Sequence, residues 1–177
     1  MKATGIVRRI DELGRIVIPK EIRKTLRIRE GENLEIYVDG NENIILKKYS
    51  LMNKINDFAQ NFADAIHTFI KQNIIITDTN TIIACSGSLK KDYLNHPISE
   101  KLQSSILRRE NILEKYEKDF KIIEDKEEKG TYTISSIIAN GDAIGLVIIM
   151  SNEDKINEAE ERVARIASQF LGKYLEE

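Results

Sequence analysis

The chain has 177 residues, room for one large domain or two small ones, and its 41% hydrophobic and 32% charged residues are those of a folded soluble protein. That balance excludes a disordered chain, no apolar run approaches the roughly 18 residues that span a bilayer, and MKATGIVRR at the start lacks the apolar segment of a secretory signal. A single cysteine, Cys85, offers no internal disulfide, which predicts a cytoplasmic setting.

The net charge of −2 conceals an asymmetry, because residues 1–29 hold 9 Lys and Arg against 3 Asp and Glu, whereas the chain beyond residue 50 is net acidic. Such an imbalance points the first segment towards a polyanion. Within it, residues 4–10 read as a strand and Asp11-Glu12-Leu13-Gly14 as a turn in which the glycine is free to take a positive φ. Arg15 to Ile18 returns as a second strand. Pro19 suits the first turn of a short helix over residues 20–26, where its missing N–H is not needed, and Ile22 and Leu26 share one face. Leu34 to Val38 alternates as a half-buried strand, Asp39-Gly40-Asn41 turns, and Ile44 to Tyr49 pairs back. A unit of about fifty residues buries too little surface to offset its conformational entropy, so two copies are expected to share one core and to pool their cations.

From residue 51 the pattern changes. Leu51, Ile55, Phe58, Phe62, Ile66 and Phe69 mark an amphipathic helix over 51–70, which sets domains of 1–50 and 51–177. No glycine- or proline-rich linker intervenes, which predicts a stiff connection. Ile74 to Thr77 and Thr81 to Ala84 flank Asp78-Thr79-Asn80 as a hairpin, and SGSLKKDYLNHP reads as a polar loop. Ser99 is the expected cap of a helix whose Leu102, Ile106 and Leu107 face inward. Residues 116–130 are so charged that only Phe120 to Ile123 reads as a strand. Asn140-Gly141, between Tyr132 to Ala139 and Ala143 to Met150, is the signature of a type I′ hairpin. Ile156, Ala159, Val163, Ile166, Phe170 and Tyr174 mark a closing helix with Ser151 or Asn152 as its cap. The second half is therefore expected to be an antiparallel α+β domain, its two long helices covering the sheet or also bundling between subunits.

The stretch TGIVRRIDELGRIVIPKEIRKTL, followed by LEIYVDG and IILKKY, closely resembles the swapped-hairpin DNA-binding domain of the AbrB family of bacterial transition-state regulators. The second half, with SGSLKKDYLN and IIANGDAIG, resembles a GAF domain. The resemblance implies a mainly β, AbrB-like N-terminal domain followed by an α+β GAF-like regulatory and oligomerisation domain. It also implies a sporulation-phase transcription regulator, activator and repressor, working as an interleaved dimer assembled to a tetramer. Family DNA contacts carry over to Arg8, Arg15, Arg23 and Lys24. Lys24 stands where arginine is frequent, which keeps the charge and loses the planar fork. Arg27 stands where many relatives place glycine, so the helix exit either is not left-handed or carries strain of roughly 1 kcal/mol.

The residues themselves agree on the partner, double-stranded DNA. Lys2, Arg9, Lys20 and Arg27 suit phosphate contacts, while Arg8, Arg15 and Arg23 have the reach for base edges. The competing assignment is a weak surface ion pair, Arg15 with Glu12 or Arg23 near Glu21. Arg8 and Arg9 point opposite ways on a strand, so one of them faces DNA. No helix-turn-helix spacing is present. Catalysis, a cofactor and a metal are not expected: there is no phosphate loop, no His-Glu-x-x-His and no paired-cysteine spacing, His67 and His96 lie in different elements, and Ser86-Gly87-Ser88 lacks the glycines of a nucleophile elbow. Cys85 reads as buried filler. Two alternatives stay open: a small-molecule effector held between residues 85–93 and 132–138, and an antitoxin, against which the structured Asn140-Gly141 hairpin and final helix argue.

Overall fold

The computed structural model describes residues 5–28, 30–31, 33–49, 52 and 55–176. The chain divides into two compact units, Met1–Tyr49 and Ser50–Glu177.

In the first unit the regular elements are helix α1 (Lys20–Thr25) and a hairpin of β1 (Leu34–Val38) and β2 (Ile44–Lys48), paired from Leu34↔Lys48 to Val38↔Ile44. Pro19 sits one position ahead of expectation, at the N-cap of α1 (φ −57°, ψ 149°). Of the two strands read at 4–10 and 15–18, residue 4 lies outside the described residues, and residues 5–10 and 15–18 form no strand within the single chain, although the turn between them does form. The cause is a shortage of partners. Among the described residues of this unit only Pro19 is buried, while Val7, Val17 and Val38 are 86%, 72% and 74% exposed. One copy cannot bury enough of its β-branched side chains to offset the entropy of ordering two more strands.

The second unit is a five-stranded antiparallel sheet in the order β4-β3-β7-β6-β5. Its strands are β3 (Asn73–Thr77), β4 (Ile82–Ser86), β5 (Asn111–Ile123), β6 (Lys126–Ala139) and β7 (Asp142–Ser151), and its helices are α2 (Asn56–Ile70), α3 (Lys90–Tyr93), α4 (Glu100–Leu107) and α5 (Glu158–Tyr174). Period-two alternation splits the core into two layers. Ile74, Ile76, Val147 and Ile149 pack with Ala59, Ala63, Ala164 and Leu171 of α2 and α5. Ile75, Leu146, Ile148 and Met150 pack on the other face with Leu102 and Ile106 of α4. With both faces covered, β3 and β7 read as continuous apolar runs rather than alternating ones.

Edge strand β4 is held to α2 by side chains. Gln60 spans the Cys85 backbone, accepting its N–H at Oε1 (3.1 Å) and donating from Nε2 to its carbonyl (3.0 Å), and Ser86 donates its hydroxyl to Asp64. The turn Asn140-Gly141 has φ of 50° and 81°, the type I′ geometry expected of it.

Several expectations are corrected here. Helix α2 begins at Asn56, and residues 51, 53 and 54 of the helix read at 51–70 lie outside the described residues. The polar loop contains α3, whose Tyr93 is fully buried with its hydroxyl donating to Glu128 Oε1 at 2.5 Å. Leu107 points to solvent because α4 ends there, after Leu102 and Ile106 have filled its inner face. The charged stretch 116–130, in which only Phe120 to Ile123 read as a strand, is the body of a long β5–β6 hairpin turning at residues 124–125. Its charges belong on an edge strand, where they oppose pairing with another sheet. Helix α5 is capped by Asn157 rather than Ser151 or Asn152. Asn157 Oδ1 accepts the Ala159 N–H at 2.8 Å, and Glu160 Oε2 accepts the Asn157 N–H at 2.9 Å, a capping box.

Candidate nucleic-acid interface

The turn at residues 11–15 is built by one carboxylate. Asp11 Oδ1 accepts the N–H groups of Leu13 (3.0 Å) and Arg15 (2.8 Å), and Oδ2 accepts Nε of the Arg15 guanidinium (2.7 Å). Gly14, with φ 75°, donates to the Asp11 carbonyl at 2.9 Å, and Asp11 donates to the Arg15 carbonyl at 3.1 Å. This is a three-residue hairpin loop with its left-handed residue at the glycine. Those bonds, first from the Arg15 backbone and then from its side chain, hold the Asp11 carboxyl below the usual carboxylate range. Arg15 is thus paired, with Asp11 rather than with Glu12, the ion pair weighed against DNA contact.

Helix α1 presents Lys20 at its start and Arg23 and Lys24 in its last turn, where cations complement the carbonyl end of the helix. Lys20 and Lys24 are exposed; Arg23 is half-buried, and its Nε is enclosed with no hydrogen-bond partner among the described residues. The chain leaves α1 through Arg27 at φ 53°. Ile28 donates to the Arg23 carbonyl (2.7 Å) and Arg27 to that of Lys24 (3.1 Å), the pair of bonds that closes a helix on a left-handed residue. Of the two exits left open by the sequence, the strained one is present. Arg27→Gly is therefore expected to raise the stability of the first unit by roughly 0.5–1 kcal/mol and to weaken duplex binding a few-fold through the lost cation. Denaturant unfolding and fluorescence anisotropy read the two effects, and unchanged affinity would remove Arg27 from the interface.

Arg8 donates from Nη1 to the Val7 carbonyl at 3.1 Å and lines an apolar groove of about 340 Å³ with Ile6, Ile16, Ile22, Leu26 and Leu46. Its neighbour Arg9 is exposed and does not line that groove. Lys2 and Arg29 lie outside the described residues. The seven described cations from Arg8 to Arg27 thus sit on or beside a short helix, a turn and an apolar hollow of one small unit. Sequence reasoning missed Asp11, whose signal was an aspartate four residues before an arginine across a glycine turn.

The second unit offers little chemistry. Among the described residues no cluster of His, Cys, Asp and Glu has the makings of a metal site, and no helix is long and apolar enough to cross a membrane. Cys85 is fully buried, and burial pushes its thiol up to about 12, so it stays protonated and inert. Part of the space between residues 85–93 and 132–138 is packed by the chain itself. Tyr93 and Phe120 are fully buried there, and Phe120 stacks on Tyr132 with ring centroids 4.0 Å apart. Two hollows border these stretches, one of about 280 Å³ lined by His67, Asn73, Ser88 and Asp154 and one of about 440 Å³ lined by Ser136, Ile138 and Lys173.

Residues 54–176 match the family described as Stage V sporulation protein T C-terminal, transcription factor, and residues 7–52 match that described as antidote-toxin recognition MazE, bacterial antitoxin. Stage V sporulation protein T of Bacillus subtilis (strain 168) is 48% identical over 178 residues, covering 100% of both chains. The transition state regulatory protein AbrB of the same organism is 69% identical over 49 residues, 28% of this chain and 50% of that one. Among solved structures, the cofactor binding GAF domain of the nutrient sensor CodY from Clostridium difficile aligns with 88% of this chain and 94% of its own at a TM-score of 0.51 and 11% identity, a likeness of fold. An AbrB-like unit followed by a GAF-like unit is thus the architecture, as the sequence resemblance implied. The chain belongs to the stage V sporulation protein T family and is a DNA-binding transcription regulator of sporulation.

Proposed function

We propose that two copies of the first unit interleave their 5–18 segments into one core, and that the resulting dimer docks its pooled cations on duplex DNA in the cytoplasm. Arg8, Arg15 and Arg23 then reach base edges, with Lys24 beside them, while Arg9, Lys20, Arg27 and Lys2 hold phosphates. The observation that carries this reading is the missing core: a single described residue of the unit is buried, while its apolar groove lies open beside Arg8. A partner strand in that groove supplies the burial that one copy lacks and brings a second set of cations to the same surface. The protein acts by binding rather than by catalysis.

The second unit then serves assembly into a tetramer. Phe58 and Phe62 of α2 and Phe170 and Tyr174 of α5 form an aromatic seam, with Phe58 and Tyr174 stacked at 4.6 Å between ring centroids. Phe170 and Tyr174 remain 46% and 43% exposed, which suits helices bundling between copies. Sedimentation equilibrium of the full chain is expected to give a tetramer, and Phe170→Glu a dimer that still binds duplex. A monomer at working concentrations would remove both levels of assembly.

A further inference from the structure

Two turns of the first unit are built alike and differ at one place. Asp11 Oδ1 accepts the N–H groups two and four residues on, and Asp39 Oδ1 does the same for Asn41 (2.9 Å) and Asn43 (3.0 Å). Each backbone closes on a left-handed residue: Gly14 donates to the Asp11 carbonyl at 2.9 Å, and Glu42, with φ 60°, to that of Asp39 at 3.2 Å. In each, the second carboxylate oxygen takes the side chain of the fifth residue. From Asp39 it is Nδ2 of Asn43 at 2.9 Å; from Asp11 it is Nε of Arg15 at 2.7 Å.

The Asn43 turn demonstrates that this closure needs no cation at the fifth position. At the Asp11 turn the arginine spends Nε on the carboxylate, and among the described residues nothing holds its Nη1 or Nη2. The guanidinium side chain is 70% exposed. The geometry points to Asp11 as a positioning residue for Arg15: it fixes the guanidinium plane so that the outward Nη pair meets two acceptors on a base edge in one orientation. A guanidinium already held in place loses less rotamer freedom on docking, and it rewards only bases whose acceptors fall where it points. The carboxylate meanwhile repels phosphate, lowering affinity for every duplex alike. Asp11 therefore exchanges affinity for discrimination. This inference rests on the reading that the first unit docks on duplex.

Asp11→Asn separates the two roles, because its amide oxygen still accepts the Leu13 and Arg15 N–H groups whereas its NH2 cannot accept from Nε. The probes are duplexes recovered from a randomised pool by selection on the wild-type protein, and the unselected pool of equal length. Asp11→Asn is expected to bind the unselected pool about threefold more tightly and to lose about tenfold of its preference for the selected one, with an unchanged melting midpoint. Arg15→Lys, which keeps the charge and lacks the fork, should lose preference similarly, and adding Asp11→Asn to it should cost no more. Retained preference in Asp11→Asn, or an equal loss of affinity for both pools, overturns the positioning role. Should Asp11→Asn unfold, retained preference in Arg15→Lys overturns it equally. Unchanged binding of both pools by Arg15→Ala would instead sink the docking reading beneath it.

Discussion

Arg23→Ala and Arg8→Ala are each expected to weaken binding of the full chain to a selected duplex by roughly 10- to 100-fold at physiological salt, the span of a lost bidentate base contact. Each substitution acts once per copy, so an interleaved dimer loses two contacts at a time. The two variants differ in their side effects. Arg8 is exposed, and its truncation removes a guanidinium from the rim of the apolar groove without emptying a core. Arg23 is half-buried, so its truncation also removes packed methylenes, and a small fall in stability accompanies the loss of affinity. Anisotropy titrations alongside denaturant unfolding separate the contributions. Unchanged affinity in both variants would place the duplex on another surface.

Gly145→Ala is expected to destabilise the second unit by about 3 kcal/mol, because a rigid backbone leaves no room for a methyl group. A Cβ at Gly145 would stand 1.9 Å from the Thr77 carbonyl oxygen and 3.0 Å from its carbon. Gly145 lies in β7, the middle strand of the sheet, and Thr77 in β3 beside it, so relief requires parting two central strands. At the size of this unit that corresponds to a fall in melting midpoint of about 10 °C. Gly40→Ala serves as the control: nothing lies within 4 Å of its Cβ position and its φ is not in the left-handed region. An unchanged midpoint for Gly145→Ala would contradict the packing of β7 on β3.

Much of the second unit was legible because its signals are local. The isoleucine runs of β3 and β7 are apolar enough to mark strands by themselves, and Asn140-Gly141 fixes the hairpin between β6 and β7. Most of the β5–β6 hairpin escaped because an edge strand carries dense charge, which hides the apolar alternation outside Phe120 to Ile123. The Asn157 cap escaped although Asn157 and Glu160 stand at capping-box spacing, since Ser151 and Asn152 are equally good cap residues a few positions earlier. Buried Tyr93 inside a polar stretch has no local signal at all; its place depends on Glu128, 35 residues away.

In the first unit the sequence revealed the cations and the deficit of core, but not how the turn arranges Arg15. Nearness along the chain offered Glu12 as its competing ion-pair partner. The loop geometry, with Gly14 left-handed, swings Arg15 back onto Asp11 instead. The strands read at 4–10 and 15–18 follow the right pattern for strands, yet pattern says nothing of whether the partner strand is in the same chain. Their apolar side chains are left open in one copy, and the proposed interleaving would cover them.

The slope of duplex affinity against salt tests the pooled cationic surface most directly. Each phosphate neutralised contributes about −0.9 to the slope of log K on log salt concentration. Two copies offering three or more phosphate contacts each would give a slope of roughly −5 or steeper for the full chain. A slope near zero, with affinity holding from dilute to concentrated salt, would contradict docking through these cations.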